Sequence, residues 1–334
     1  MTLRVAIAGV TGAVGQEFLR ILQERNFPAT EYKFLASARS AGKKITFMGQ
    51  EYTVEELKED SFIDFDIALF SAGGARSKQF APAAAKTGCM VVDNSSAFRM
   101  DDDVPLVIPE INAEQIRNAP RNIIANPNCT TIIGTVPVWP LHKANPVRRM
   151  VVSTYQAVSG AGMSAMQELQ EMTKDVLEGK DLQPQAFQHP CAFNVFSHDS
   201  TIGENGYNVE EMKLVHETHK IFNDNSVQIT GTCIRVPVLR AHSESINLEF
   251  ENPIEVEQVV DLLLGAPGVE VVDDRENNYF PMPIDASGQD NILVGRIRQD
   301  ESLPDKRGIN LFVSGDQLRK GAALNAVQIA ECLV

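Results

Sequence analysis

An apolar strand runs directly into a glycine-rich turn in Arg4-Val-Ala-Ile-Ala-Gly9-Val-Thr-Gly12-Ala-Val-Gly15. A helical pattern follows from Gln16 to Glu24, and its apolar residues Phe18, Leu19 and Leu22 share one face. Strand, glycine-rich turn and helix in this order form the context of a dinucleotide-binding fingerprint, because the glycines let the backbone approach a pyrophosphate at the helix N-terminus. The spacing is the GxxGxxG variant. It predicts cofactor contacts at Gly9, Thr11, Gly12, Ala13, Val14 and Gly15.

The second strand, from Tyr32 to Ser37, predicts which nicotinamide cofactor binds. An NAD enzyme carries an acidic residue at the end of this strand for the ribose hydroxyls. Here the strand ends in Ser37-Ala-Arg39-Ser40, which contains no carboxylate. Hydroxyls and a guanidinium suit a 2′-phosphate, so we predict NADP(H) with contacts at Arg39 and Ser40. The alternative is an exposed basic loop without a ligand.

Apolar strands alternate with helices through the first part of the chain, with further strands from Asp66 to Phe70 and from Met90 to Asp93. This alternation predicts an α/β domain with a doubly wound, Rossmann-like parallel sheet. Beyond Pro146 the strands become long and carry a few helices, which predicts an α+β domain for catalysis and dimerisation. We expect the cofactor domain to comprise residues 1–128 with a C-terminal helix at about 316–334, and the second domain to comprise residues 129–315.

Cys129 lies in the turn Asn126-Pro-Asn128-Cys129-Thr-Thr131, after a short apolar strand and before a helix predicted over residues 130–138. Asn128 is a residue type that caps helix N-termini. The helix dipole and its unpaired N–H groups favour an anion and lower the pKa of a thiol placed there. The position therefore indicates a thiolate nucleophile. The alternative is a buried cysteine that serves as a small apolar residue.

Composition limits the class of protein. The 334 residues carry a formal net charge of −14, which argues against nucleic acid and anionic membranes as partners. The five cysteines fit no zinc-binding spacing, so we expect no metal, and they suggest a reducing cytoplasm. No signal-peptide pattern and no apolar run as long as a membrane span occurs.

Several cations and polar residues stand in motif-like settings further along the chain, namely Arg99, Gln156, Lys213, Arg235 and His242. On one regular strand, Arg235 and His242 would point to opposite faces, although Pro237 between them argues for a bend. Glu210 and Lys213 share a helix face and are open to a second interpretation, an ordinary surface pair.

These segments together resemble the aspartate-β-semialdehyde dehydrogenase family in its bacterial form, nearly from end to end. The resemblance implies that Cys129 carries an acyl thioester, that Gln156 orients the substrate and that His242 is the general acid/base. It also implies that Arg235 binds the substrate carboxylate, that Arg99 and Lys213 bind phosphate, and that Glu210 helps to bind the substrate or positions Lys213. Further cofactor contacts implied in this way are Ser159, Gly160 and Gln317.

The implied reaction is the NADPH-dependent conversion of L-aspartyl 4-phosphate to L-aspartate 4-semialdehyde, in the diaminopimelate route to lysine and in threonine and methionine biosynthesis. A homodimer is implied as well. Two alternatives remain open from the residues: a related reductase of the N-acetyl-γ-glutamyl-phosphate type, and a non-catalytic NADP or redox sensor.

Overall fold

The computed structural model describes residues 3–334, so Met1 and Thr2 lie outside the described part of the chain. It divides into two compact units. The first unit comprises the chain up to Asn128 together with Ala322–Val334, and the second comprises Cys129–Gly321. The division after Gly321 falls later than the boundary expected near residue 316.

The helices and strands are numbered in chain order. The helices are α1 Ala13–Glu24, α2 Gly74–Lys86, α3 Pro109–Asn112, α4 Cys129–Ala144, α5 Met163–Leu177, α6 Val209–Phe222, α7 Val256–Leu264, α8 Pro283–Ala286 and α9 Leu324–Glu331. The strands of the first unit are β1 Arg4–Ala8, β2 Glu31–Ala36, β3 Lys44–Phe47, β4 Gln50–Thr53, β5 Glu55–Glu56, β6 Ile67–Phe70, β7 Met90–Asp93 and β8 Ile123–Ala125. The strands of the second unit are β9 Val147–Gln156, β10 Phe196–Ser197, β11 Gln228–Arg235, β12 His242–Phe250, β13 Val269–Val271, β14 Ile292–Gln299 and β15 Gly308–Gly315.

The first unit contains a parallel sheet in the order β5-β2-β1-β6-β7-β8. With β5 counted as the third strand, this is the doubly wound 3-2-1-4-5-6 order of dinucleotide-binding folds, which confirms the predicted fold class. The order reverses between β1 and β6. Ligands bind at the carboxyl ends of the strands beside such a reversal, where the Gly9 turn follows β1.

The core of this unit joins the sheet to α1 and α9. Val5 and Ile7 of β1 are fully buried with Phe18 and Leu22 of α1 and with Val327 of α9. Each large apolar side chain buried in this way contributes about 1.5–3 kcal/mol relative to exposure. The C-terminal helix therefore completes the core of the cofactor-type sheet.

The second unit contains a mixed sheet in the order β10-β11-β9-β12-β15-β14-β13. Strand β9 pairs in parallel with β11 and antiparallel with β12, so the end of β11 and the start of β12 flank the end of β9. One face of β9 is buried at Met150, Val152 and Thr154, whereas Tyr155 on the other face is exposed. One face of the sheet is thus packed against helices and the other is open, as an α+β interface sheet requires.

Two predicted helices have different limits in the structure. Helix α4 continues beyond residue 138 to Ala144 despite Pro137 and Pro140, because its almost entirely buried surroundings outweigh the two lost hydrogen bonds. The last helix does not begin at Asp316; a π-type turn spans Arg319–Ala323 and α9 begins only at Leu324. The Asp316 carboxylate accepts hydrogen bonds from the N–H groups of Leu318 and Arg319, which delays the regular helical pattern.

No helix within residues 3–334 combines the length and the apolar character that crossing a membrane demands.

Candidate active site

The glycine-rich turn after β1 has the shape of a phosphate cradle. Gly9 has φ +92°, and a Cβ there would lie 2.2 Å from the carbonyl oxygen of Ser71, so only glycine fits. Gly15 is equally constrained, because its Cβ would lie 2.2 Å from the Gly9 carbonyl oxygen. Gly12 differs, since a Cβ there would make only an ordinary contact at 3.4 Å. Within residues 3–334 no side-chain cap is formed at Gly12, where the next helix begins, so the first N–H groups of that helix can bind an anion.

Arg39 and Ser40 lie on a short 3₁₀ turn, Ala38–Ser40, directly after β2. Arg39 is exposed and Ser40 is buried, so the guanidinium can reach a ligand while the hydroxyl is held in the fold. The sequence interpretation overlooked one feature of this region. Strand β5 places Glu55 and Glu56 beside the end of β2, and each carboxylate forms an ion pair with a lysine, Glu55 with Lys33 and Glu56 with Lys58.

Arg99 is held by backbone groups of the first unit. Its side chain is buried, with Nε donating to the Asn126 carbonyl at 2.9 Å and NH2 donating to the Asn94 carbonyl at 2.8 Å. The side chains of Asn94 and Asn126 are themselves hydrogen bonded at 2.9 Å. Arg99 is therefore fixed against the end of the strand that leads to Cys129 in the chain.

Cys129 is the first residue of α4, one residue before the helix start predicted at residue 130, and it is half-buried. Gly321 packs against it, because a Cβ at Gly321 would lie 2.9 Å from the Cys129 Cβ. The glycine at position 321 is thus explained by packing, because it leaves room for Cys129.

Glu210 is the centre of a buried polar network in the second unit. Its Oε2 accepts from Lys213 Nζ at 2.8 Å, and its Oε1 accepts from Thr130 Oγ1 at 3.2 Å and from Gln156 Nε2 at 3.3 Å. Gln156 is held from its other end by Thr154, whose hydroxyl lies 3.0 Å from Gln156 Oε1. This network connects Thr130, the residue after Cys129, to Gln156 and Lys213. Glu210 and Lys213 are therefore more than an ordinary surface pair.

Arg235 and His242 converge although they lie on different strands. Arg235 ends β11 opposite Gln156, and His242 begins β12. A Cβ on Gly160 would lie 3.3 Å from Arg235 NH1 and also 3.3 Å from His242 Nε2. The turn between β11 and β12, which contains Pro237, therefore brings the two side chains together beside Gly160, where a Cβ would be in tight contact with both.

The His242 imidazole has a defined tautomer. Its Nδ1 accepts the backbone N–H of Ala157 at 3.0 Å, which places the ring proton on Nε2. Burial, together with the nearby charge of Arg235, lowers the pKa of His242 to about 3, so the ring is neutral near pH 7. Nε2 has no hydrogen-bond partner within residues 3–334 and is available to a ligand.

The side chains of Ser159 and Gln317 help to hold the backbone next to His242. Gln317 Nε2 donates to Ser159 Oγ, and Gln317 Oε1 accepts from the backbone N–H of Ala241 at 2.8 Å. Ala241 has φ +71°, an unfavourable conformation for a residue with a Cβ, and it directly precedes His242. The predicted cofactor residue Gln317 thus also holds the strained backbone that presents His242.

Glu244 is a buried acid that the sequence analysis missed. Its side chain is fully buried, and neither carboxyl oxygen has a hydrogen-bond partner in the described part of the chain. It points at α4, where a Cβ on Gly134 would lie 2.6 Å from Glu244 Oε2. Burial raises the pKa of Glu244 well above its ordinary value, so the carboxyl is protonated in the fold. Its position two residues after His242 on the same strand face was the available signal.

Replacing Glu244 with glutamine is expected to stabilise the protein at alkaline pH. The folded state holds a proton that the unfolded chain releases above its ordinary pKa, so the wild type loses stability as the pH rises from about 4.5. The loss is about 1.4 kcal/mol per pH unit until the folded pKa is reached. Urea unfolding at pH 5 and pH 8 should show the variant gaining stability mainly at pH 8. The exposed Glu257→Gln serves as control, and an equal gain at both pH values contradicts the account.

Both units match domain models of the same protein family. Residues 4–119 match a family model described as the NAD binding domain of semialdehyde dehydrogenase, and residues 138–320 match the dimerisation domain of the same family. The chain is 55% identical to an aspartate-semialdehyde dehydrogenase of Synechocystis over 99% of its length and 97% of the relative. It is 45% identical to that of Bacillus subtilis over 99% of the chain and 97% of the relative.

A solved structure shows the same similarity. Aspartate semialdehyde dehydrogenase II from Vibrio cholerae, solved in complex with ASA, has a TM-score of 0.96 to this chain. It is 46% identical to this chain and matches 100% of this chain and 98% of its own.

Proposed function

This chain belongs to the aspartate-semialdehyde dehydrogenase family, and we propose that it uses Cys129 as the nucleophile in its reaction. That reaction is the reductive dephosphorylation of L-aspartyl 4-phosphate to L-aspartate 4-semialdehyde with NADPH, a step of amino-acid biosynthesis. The observation that supports the proposal is the buried network through Glu210, which connects Thr130, the residue after Cys129, with Gln156 and Lys213.

Arg235 is the group that binds the substrate α-carboxylate. Its NH1 donates to the Ala157 carbonyl at 2.9 Å, and its guanidinium lies over the Phe187 ring with 5.4 Å to the centroid. These contacts fix the plane of the guanidinium while Nε has no partner within residues 3–334. A fixed planar fork suits a carboxylate, which it can bind through two parallel hydrogen bonds.

The phosphate group of the substrate requires cations, since the chain as a whole is strongly negative. We assign this role to Lys213 in the second unit and to Arg99 in the first. Glu210 holds the Lys213 ammonium at 2.8 Å, and two backbone carbonyls hold the Arg99 guanidinium. Both cations are thus positioned by the fold before the substrate arrives, which reduces the entropy lost on binding.

The Cys129 thiolate attacks the acyl carbon, a sulfur–carbon bond forms and phosphate leaves with the electrons of the broken carbon–oxygen bond. The cofactor, when bound, would supply the hydride that reduces the acyl carbon. The sulfur–carbon bond then breaks, and the Cys129 thiolate leaves as the aldehyde forms. Gln156 orients the acyl group through its amide, which Thr154 and Glu210 fix from both ends. His242 donates a hydrogen bond from Nε2 to the substrate oxygen on which negative charge develops. With the ring hydrogen on Nε2, His242 is set to act as a donor, which is one part of its proposed general acid/base role.

The cofactor site fits a dinucleotide on the geometry of the first unit. The Gly12 backbone and the uncapped N-terminus of α1 can hold the pyrophosphate, while Arg39 and Ser40 follow the strand that reads the adenosine ribose. Ser159 and Gly160 belong to a turn of the second unit, Val158–Ala161, for which we propose contacts to the nicotinamide portion.

The family is dimeric through its second domain, and the chain has the corresponding open sheet face. Tyr155 and Phe312 pack together there with ring centroids 6.1 Å apart. We infer a homodimer through this face. We infer a reducing compartment such as the cytoplasm, because the cysteine count of five is odd and the spacings fit no zinc pattern.

A steady-state assay tests the proposed function. With L-aspartate 4-semialdehyde, phosphate and NADP the protein should form NADPH continuously. N-acetyl-glutamate 5-semialdehyde under the same conditions should give little or none. Preferred turnover of the acetylated substrate overturns the assignment, and absence of turnover with either substrate favours a sensor.

Replacing Arg39 with alanine is expected to raise KM for NADP at least about tenfold while changing KM for NAD by less than about twofold. The expectation rests on the loss of one charge-assisted contact to the 2′-phosphate, a group that NAD lacks. Initial rates with both cofactors measure the ratio, and Lys78→Ala on α2 is a control for the loss of one surface charge. Equal effects on the two cofactors rule out a 2′-phosphate contact by Arg39.

A further inference from the structure

An ion pair shortly before His242 takes no part in the reaction described so far. Arg240 Nε donates to Asp316 Oδ2 at 2.6 Å, and the side chain of Asp316 is fully buried while that of Arg240 is 20% exposed. Removing a carboxylate from water in this way costs free energy, and loss of its partner would leave a buried charge uncompensated. The role of the pair follows from the segments that it joins.

The two oxygens of Asp316 bind different segments of the chain. Oδ1 accepts from the backbone N–H groups of Leu318 at 2.9 Å and Arg319 at 3.1 Å. Oδ2 accepts from Arg240 and from the backbone N–H of Gly288, each at 2.6 Å. An ionised carboxylate offers about four acceptor sites, so these bonds fill it. Asp316 thus joins the turn after β15 to the loop between β11 and β12.

Ala241, the residue before His242, has a strained backbone. Its φ of +71° lies in the left-handed region, which is unfavourable for a residue with a Cβ, and its side chain is fully buried. Such a conformation persists only where the surrounding structure fixes it. The Ala241 N–H donates to Gln317 Oε1 at 2.8 Å, and the Leu239 carbonyl accepts from the N–H of Ser159 at 3.2 Å. These two bonds hold the backbone before and after the arginine of the ion pair.

The direction of the His242 ring depends on this backbone. His242 is the first residue of β12, and its Nδ1 accepts the N–H of Ala157 at 3.0 Å, which leaves Nε2 as the donor to the substrate. A relaxed φ at Ala241 would turn the Cα–Cβ bond of His242 and break that hydrogen bond. A displacement of about 1 Å can lower a rate about 10²-fold. The ion pair can therefore affect the reaction although it is not among the groups proposed to contact the substrate.

We propose that Asp316 and Arg240 are positioning residues for His242. Their ion pair keeps Ala241 in its left-handed conformation, and this conformation directs Nε2 at the substrate oxygen. The inference rests on the proposed role of His242 as a donor in the reaction, and it adds two residues that act only through that side chain. A pair that served stability alone would lower activity whether or not the histidine was present.

A double-mutant cycle on kcat separates positioning from stability. Asp316→Asn keeps an oxygen for the two N–H groups of the turn, but its NH2 group faces Arg240, which is also a donor. With L-aspartate 4-semialdehyde, phosphate and NADP, kcat should fall at least about tenfold while KM for the semialdehyde changes by less than about twofold, because Arg235 is untouched. In a His242→Gln background the same substitution should lower kcat by less than about twofold, since the ring that it positions is already absent.

Arg240→Gln completes the test, and it decides the question by the same criterion if Asp316→Asn does not fold. Arg240→Lys retains the positive charge and should recover part of the lost kcat. Asp290→Asn is the matched control, because it removes the ion pair of Asp290 with Arg319 in the same turn and should keep full activity. Circular dichroism and thermal unfolding verify that each variant is folded at the assay temperature.

Three results overturn the inference. Equal losses of kcat with and without His242 mean that the pair only stabilises the fold, a loss confined to KM means that it acts on binding, and an unchanged kcat in both Asp316→Asn and Arg240→Gln excludes any role. If His242→Gln alone keeps the kcat of the wild type, the proposed role of His242 is wrong and the inference fails with it. Absence of turnover in the wild type contradicts the proposed function itself.

Discussion

Cys129→Ala is expected to lower kcat by at least about 10⁴-fold, because loss of a covalent nucleophile removes the whole thioester route. The binding of NADP should be unchanged, since the residues proposed for it do not include the thiol. Gly321 packs against Cβ, which alanine retains, so the local packing around α4 should persist. Steady-state rates and NADP titration by fluorescence measure the two effects separately.

Cys332→Ala is the matched control for this experiment, because Cys332 is exposed and lies in the first unit outside every proposed site. It should retain full activity. Cys129→Ser tests whether the sulfur itself is needed, since a serine hydroxyl in the same place is far less ionised and should recover little activity. Turnover within about tenfold of the wild type in the alanine variant excludes Cys129 as the nucleophile.

Arg235→Lys is expected to lower kcat/KM for the semialdehyde by about 10²-fold or more although the positive charge is retained. A lysine ammonium cannot reproduce the fork that binds a carboxylate through two hydrogen bonds, nor the planar contact with Phe187. It also leaves the Ala157 carbonyl without its 2.9 Å donor. The loss should appear mostly in KM, with a smaller effect on kcat from misplacement of the acyl carbon.

Arg148→Lys provides the control, because Arg148 is exposed on β9 and far along the strand from Gln156. Kinetics of the two variants should be compared at saturating phosphate and NADP. If Arg235→Lys and Arg148→Lys have the same kinetics, Arg235 is not the residue that binds the substrate carboxylate.

Local patterns predicted most of the secondary structure. Local residues explain, for example, where α6 begins, because Asn208 and Glu211 form a capping box at its start. The glycine turn after β1 predicted the dinucleotide-binding context, because Gly9 and Gly15 have no tolerated substitute in that geometry.

The arrangement of the site required the tertiary structure. Arg235 and His242 are seven positions apart, and only the pairing of β9 with both β11 and β12 shows that they meet. Glu210 looked like one half of a surface pair, but burial against Thr130 and Gln156 makes it a central acceptor. Such roles depend on long-range packing, which periodicity does not encode.

The most direct test of the account is a single-turnover reaction of the enzyme with L-aspartate 4-semialdehyde and NADP in the absence of phosphate. Without phosphate to release the acyl group, the account predicts a burst of one NADPH per active site. It also predicts an aspartyl group bound to Cys129, detected by mass spectrometry of the acid-quenched protein. Addition of phosphate should remove that group and restore turnover. A burst without a covalent adduct, an adduct on another residue, or an undiminished burst in Cys129→Ser contradicts the central role of Cys129.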